Sequence, residues 1–65
     1  MWIRKFSWKG IDIDLTEEGK DYRVDFKNQD LPKKNRDYKY DNYPKASDKW
    51  DELVDDTIRR FEGEN

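Results

Sequence analysis

The sequence predicts an α+β fold, in which a three- or four-stranded antiparallel β-meander is followed by one C-terminal α-helix packed on the sheet. Two observations predict this class. Apolar and polar residues alternate through the first half of the chain, which is the pattern of strands with one buried face. The last third instead repeats its apolar residues at helical spacing. A chain of 65 residues has room for one small domain, so we assign residues 1–65 to a single unit.

The first two predicted strands end at short breaks that contain glycine, a residue able to adopt the positive φ of tight hairpin turns. Large β-branched and aromatic side chains occupy the alternating positions, which also favours strands. The alternating segments are residues 2–8, 11–15 and 21–27, with a further segment at 36–41. We predict the last of these as a fourth strand at a sheet edge, where its charges discourage edge-to-edge aggregation.

The lengths of two hairpin loops predict how the first three strands pair. A two-residue loop at residues 9–10 places Phe6 opposite Ile13. In the second hairpin, a four-residue loop over residues 17–20 places Ile13 opposite Val24. A three-residue loop would shift the pairing by one residue and split the apolar face between the two sides of the sheet. We therefore predict the four-residue loop.

The last third of the chain predicts one helix that begins near Ser47 or Asp48, either of which can cap the first turn. Pro44 separates this helix from the fourth strand, and Gly63 ends it. Acidic residues are concentrated in its early turns and basic residues in its last turns, an arrangement that complements the helix dipole.

The predicted core combines the apolar face of the sheet with the apolar stripe of the helix. A domain of this length buries only about 60% of its unfolded surface, so the fold depends on large side chains, which three Trp, four Tyr and three Phe supply. On the first strand, alternation puts Trp2, Arg4, Phe6 and Trp8 on one face. The expected core residues are Phe6, Trp8, Ile11, Ile13, Leu15, Tyr22, Val24, Phe26, Trp50, Leu53, Val54, Ile58 and Phe61.

The composition excludes most catalytic and metal chemistry. The chain has no Cys and no His, so it lacks disulfides, thiolate metal sites, cysteine nucleophiles and the imidazole base that suits neutral pH. Its three glycines are dispersed along the chain, and no glycine-rich phosphate-binding loop is present. We therefore expect no catalytic residue, no cofactor and no bound metal, and we predict that the protein is not an enzyme.

Charge and hydropathy indicate a protein that works away from membranes. Charged residues make up 46% of the chain, and 14 basic residues nearly balance 16 acidic ones to give a net charge of −2. Apolar runs are too short to span a bilayer. No segment typical of a signal peptide precedes Arg4 and Lys5, so we expect a cytoplasmic location.

These exclusions leave a binding module as the expected function. Tyr, Trp and Arg are enriched at the hot spots of protein interfaces, and the open edge of a small sheet accepts a strand from a partner or from a second copy. We predict a non-enzymatic protein-binding or regulatory module, such as an inhibitor or modulator of a larger bacterial or phage protein. A homodimer is one way to cover its aromatic residues. The expected partner-binding residues are Trp2, Arg36, Tyr38, Tyr40 and Tyr43.

The alternative is a single-stranded nucleic-acid-binding protein that uses the sheet and the Tyr- and Lys-rich segment 33–45. Cations with aromatic platforms bind single strands. The element order, a sheet followed by one helix, is also similar to that of single-strand-binding transcriptional coactivators of comparable size, which implies nucleic-acid binding. However, the segment holds five basic and two acidic residues in a chain that is negative as a whole. Phosphate binding normally requires a clear positive excess, so protein binding is the first prediction.

Overall fold

Four strands and one long helix account for most of the chain. The computed structural model describes residues 2–63. Its elements are β1 (Trp2–Trp8), β2 (Ile11–Glu18), β3 (Asp21–Asn28), a short 3₁₀ helix (Pro32–Lys34), β4 (Arg36–Tyr40) and α1 (Tyr43–Gly63). The strands form one antiparallel sheet in the order β1-β2-β3-β4, and α1 packs on one face, mainly over β2, β3 and β4. The predicted α+β class is confirmed, and so is the fourth strand. We call the uncovered side of the sheet the open face.

The hairpin between β1 and β2 has the predicted register, with Phe6 opposite Ile13. Both residues of its turn have positive φ, 49° at Lys9 and 82° at Gly10. Positive φ at both central positions is the mark of a type I′ turn, whose twist matches the twist of paired strands. This turn therefore sets the register of the β1–β2 pair from Trp8 to Arg4.

The predicted register of the second hairpin is wrong by two residues. β2 and β3 continue until only Gly19 and Lys20 form the turn, and Ile13 faces Phe26 rather than Val24. Gly19 has a φ of 64°, and a glycine with positive φ at the first central position is typical of a type II′ turn. A shift of two residues leaves every side chain on its predicted face, so the apolar pattern alone does not distinguish the two registers.

Helix α1 begins earlier than predicted, directly after Asn42. The side-chain oxygen of Asn42 accepts a hydrogen bond from the backbone N–H of Lys45 at 3.0 Å and so caps the first turn. Pro44 lies inside this turn rather than before the helix, and its missing N–H is tolerated there because the first N–H groups of a helix have no helical partner. The predicted caps, Ser47 and Asp48, therefore lie within the helix.

The most deeply buried residues lie on the sheet face beneath α1. Ile13, Leu15 and Val24 have no exposed surface, and Ile11 keeps 6% of its surface exposed. In a molecule whose shorter dimensions are 20 and 16 Å, larger side chains cannot all be enclosed. The predicted core residues that are only partly buried are Phe6, Trp8, Tyr22, Phe26, Trp50, Leu53, Val54, Ile58 and Phe61.

Two small residues of α1 complete the core. Ala46 was not predicted, whereas Thr57 follows the helical spacing of the predicted apolar stripe but is not among the expected core residues. Ala46 is fully buried and Thr57 keeps 5% of its surface exposed. The Thr57 hydroxyl donates a 2.8 Å hydrogen bond to the carbonyl of Leu53, so its polar group is satisfied inside the helix. No helix in the described part of the chain is long and apolar enough to cross a membrane.

Candidate protein-binding surfaces

Trp2 and Ile3 expose large apolar side chains on β1, which is one edge of the sheet. Trp2 is 64% exposed and Ile3 is 37% exposed. Within residues 2–63, β1 pairs only with β2, so the outer side of its backbone faces no other strand. Free backbone groups beside exposed apolar side chains form a template to which another strand can add. This edge is therefore the first candidate surface.

A β-bulge places Trp2 on the open face, whereas simple alternation predicted the face covered by the helix. Arg4 lies opposite Leu15, but the register shifts before it and Trp2 lies opposite Thr16. Leu15 points toward the helix, so Thr16 and Trp2 point the other way. The Lys5 ammonium lies 4.5 Å from the centroid of the Trp2 ring, a distance at which the cation and the ring attract each other.

Carboxylates occupy the middle of the open face, and Arg23 organises them. Asp14, Asp25 and Asp37 are neighbours across β2, β3 and β4. The Arg23 guanidinium lies 3.0 Å from Asp25, 3.0 Å from Asp37 and 3.5 Å from Glu18. The negative charge of Asp25, supported by Asp37 and Glu18, outweighs desolvation and raises the pKa of Arg23 above its ordinary value. Arg23 thus stays charged and offsets the repulsion between like charges on adjacent strands.

On the helix side, Arg4 connects the middle of β1 to α1. Its guanidinium carbon lies 5.4 Å from the centroid of the Trp50 ring, and its Nη1 lies 3.5 Å from Asp51 Oδ1. One face of β1 is therefore in contact with the helix, while the outer edge and the open face near Trp2 are uncovered. Only the latter two remain for a partner.

The three tyrosines of the predicted interface pack against the core, two from β4 and one from the first turn of α1. Tyr38, Tyr40 and Tyr43 are partly buried against the core. The rings of Tyr43 and Tyr22 meet edge to face with their centroids 5.7 Å apart, and Lys49 Nζ lies 4.5 Å from the centroid of the Tyr38 ring. These contacts indicate that the tyrosines stabilise the fold.

The predicted interface residues divide between two opposite edges of the sheet. Arg36 is exposed at the start of β4, where its Nη1 donates to the carbonyls of Lys33 and Asn35 at 3.0 and 2.7 Å. Tyr38 lies on the same strand, whereas Trp2 lies on β1. Three strand spacings, about 14 Å in all, separate the two edges. The fold therefore brings Arg36 and Tyr38 together on β4 but does not bring Trp2 beside them.

Two adjoining clefts lie at the end of the molecule that holds the β1–β2 turn, and neither was predicted. The first has a volume of about 270 Å³ and lies between the β3–β4 loop and the end of α1. The second, about 340 Å³, is lined in part by Arg36 and Tyr38, and shares Lys34 and Arg60 with the first. We call the two together the basic cleft. The first cleft is lined by Lys9, Ile11, Asn28, Asp30, Leu31, Lys34, Arg60 and Phe61.

No feature of the described residues points to a metal or to a known relative. Across residues 2–63, no group of three or more acidic side chains is placed to hold a metal ion. Comparisons with known protein families, with curated proteins and with solved structures find no match to this chain. The fold and its surfaces therefore define the class: a small α+β protein whose sheet is covered by a helix on one face and open on the other.

Proposed function

We propose that this protein is a non-enzymatic binding module that docks on a larger protein through Trp2 and the free edge of β1. The observation that carries the proposal is the 64% exposure of Trp2 on a strand with no outer neighbour among residues 2–63. Trp is among the residues that contribute most to binding when an interface buries them. A partner strand that pairs with β1 gains backbone hydrogen bonds and covers both Trp2 and Ile3.

Contacts around β1 support binding as a rigid edge. Lys5 lies over the Trp2 ring at 4.5 Å, and Arg4 contacts Trp50 and Asp51 on the helix side. Side chains that are already ordered lose less conformational entropy when they bind, so more of the contact energy appears as affinity. The edge therefore has the properties of a pre-organised docking strand.

Docking of this kind supports a regulatory role. A sheet that adds itself to an exposed strand of its partner occupies the surface that other proteins or substrates would use. We propose inhibition or modulation of a larger bacterial or phage protein, because small accessory chains without catalytic groups are common among such regulators. A second copy of this chain is the competing occupant of the β1 edge.

A pair of crosslinking positions tests the proposal. A photo-reactive amino acid replaces Ile3 on β1 in one protein and Lys39, an exposed residue of β4, in the other. We expect the position-3 protein to capture one larger protein from its native lysate. Excess unlabelled chain should compete for this capture, whereas an excess of the Trp2→Ala chain should not. Equal capture from both positions, or equal competition by Trp2→Ala, would contradict the proposal. Light scattering tests the competing occupant. If the chain is a dimer and Trp2→Ala makes it a monomer, the β1 edge binds a second copy of the chain rather than a larger protein.

Single-stranded nucleic acid is the second candidate, and the cations of the basic cleft favour it. The packing of Tyr38 and Tyr40 against the core opposes it, because partly buried rings offer less surface for stacking with bases. Titration of a labelled single-stranded oligonucleotide at low and at higher salt distinguishes the two. Micromolar affinity with a steep dependence on salt would favour this candidate, and absence of binding at low salt would remove it.

A further inference from the structure

The basic cleft brings together the side chains of four basic residues. Lys9 belongs to the β1–β2 turn, Lys34 to the 3₁₀ helix and Arg60 to the last turns of α1, and all three line one cavity. Arg36 lines the adjoining cavity together with Lys34 and Arg60. None of these four side chains forms an ion pair with another residue of the 2–63 range, whereas Arg4, on the body of the sheet, does so with an acid of α1.

The cleft also has an apolar wall. Leu31 is 50% exposed at its rim, and Phe61 lines the same cavity. Lys9 Nζ lies 5.1 Å from the centroid of the Phe61 ring, so its charge is held at the edge of this apolar surface. Asp30 is the acidic residue in the lining. A ligand that fits must therefore present negative charge and an apolar group close together.

The two ends of the 41 Å long molecule differ in their charged groups, although each end carries charges of both signs. The contact between Tyr22 and Tyr43 places the start of α1 beside the β2–β3 turn, and that end carries Glu17, Glu18 and Asp21. The basic cleft lies at the other end of the sheet. The net charge of −2 therefore conceals a local positive site.

We propose that the basic cleft binds an acidic segment of a partner polypeptide that also presents an apolar side chain. The inference rests on the proposed function, because it assigns a second contact between the protein and its partner. Carboxylates of the segment meet Lys34, Arg36 and Arg60, and the apolar side chain packs on Leu31 and Phe61. Unpaired cations beside an apolar wall complement such a segment in both charge and hydrophobicity.

A polypeptide fits the cleft better than a nucleic acid. A continuous phosphate backbone requires a basic track, and its affinity depends on neutralising several phosphates at once. Here four basic residues line the cleft, in a chain with a negative total charge. The two cavities, of about 270 and 340 Å³, have room for a few side chains of a bound peptide. The experiment must therefore distinguish binding of a peptide from binding of a nucleic acid.

Fluorescence anisotropy with short labelled peptides tests the inference. The probe is Asp-Glu-Leu-Phe-Glu-Asp, and the matched controls are Asn-Gln-Leu-Phe-Gln-Asn and Asp-Glu-Ser-Ser-Glu-Asp. The variant is Lys34→Glu and its control is Lys33→Glu, which makes the same charge change one residue away but lines neither cavity. We expect Lys34→Glu to weaken probe binding about tenfold, since it removes a cation that meets the ligand and adds a repulsive charge. At physiological salt, screening should limit the effect of Lys33→Glu to about twofold.

Several results would overturn the inference. If Lys34→Glu and Lys33→Glu weaken probe binding equally, the probe responds to the general electrostatic potential of the protein and not to the cleft. If the serine peptide binds as tightly as the probe, the apolar wall has no role. Tighter binding of a six-nucleotide single strand than of the probe would assign the site to nucleic acid. Trp2→Ala should leave probe binding unchanged. If the probe peptide does not bind but crosslinking at position 3 still depends on Trp2, this inference alone is refuted. If the probe binds but crosslinking does not depend on Trp2, the proposed function is refuted.

Discussion

The indole N–H of Trp50 donates a 3.0 Å hydrogen bond to the backbone carbonyl of Ile13, and this bond joins the middle of α1 to an inner strand across 37 residues of sequence. Ile13 has no exposed surface, so the indole reaches the buried side of the sheet. The same indole ring is in contact with Arg4 of β1. Trp50 of α1 therefore contacts both β1 and β2.

Replacing Trp50 by Phe should destabilise the protein by more than the smaller buried apolar area of Phe would predict. The change removes the hydrogen bond that the indole donates to the Ile13 carbonyl, and such a bond contributes about 0.5–1.5 kcal/mol. The matched control is Trp8→Phe, because the Trp8 indole N–H donates to no group within residues 2–63. Urea unfolding of both variants measures the difference. Equal free energies of unfolding would show that the hydrogen bond does not contribute.

Replacing Asn42 by Ala should weaken α1, and replacing Ser47 by Ala should not. Asn42 accepts the hydrogen bond from the Lys45 N–H that caps the helix, and loss of such a cap costs about 0.5–2 kcal/mol. Ser47 lies inside α1, where Ala has the higher helix propensity. Thermal unfolding followed by circular dichroism compares the two. A larger loss for Ser47→Ala would place the helix start where the sequence pattern alone put it.

Gly19→Ala should destabilise the β2–β3 hairpin by about 1 kcal/mol. Gly19 has a φ of 64°, and a Cβ at this position meets no atom within 4 Å. The cost is therefore conformational rather than steric. Gly63→Ala is the control, since its φ lies outside the left-handed region and its surroundings are equally open. If both variants unfold at the same urea concentration, the two-residue turn is wrong.

Arg23→Gln should lower stability in a way that depends on salt. Without the guanidinium, Asp14, Asp25 and Asp37 repel one another across adjacent strands. Screening weakens this repulsion, so the loss should shrink in about 1 M NaCl, where the Debye length is only about 3 Å. Lys39→Gln removes an equal charge from the position opposite Arg23 and serves as the control. A loss from Arg23→Gln that is the same at both salt concentrations would contradict an electrostatic role.

Period-two alternation predicted the buried face of β2 and β3 because side-chain direction depends only on whether a position is odd or even. It did not predict the pairing of Ile13 with Phe26, since a register shift of two preserves the same faces. It also placed Trp2 on the wrong face. A bulge inserts one unpaired residue, and no side-chain pattern in the first strand marks its position.

Local signals were harder to interpret where two compete. Pro44 can end a segment or occupy the first turn of a helix, and the cap at Asn42 decides for the second. The basic cleft was missed for a different reason. Lys9, Lys34 and Arg60 lie on three segments far apart in sequence, and only the fold brings them to one cavity.

Hydrogen–deuterium exchange of the chain, free and in complex with the captured protein, tests the central claim most directly. The claim is that a partner pairs with the outer edge of β1 and covers Trp2. We expect the backbone amides of residues 2–8 to exchange more slowly in the complex, while those of β4 keep their free rates. Slower exchange confined to β4 or α1, with β1 unchanged, would contradict the claim.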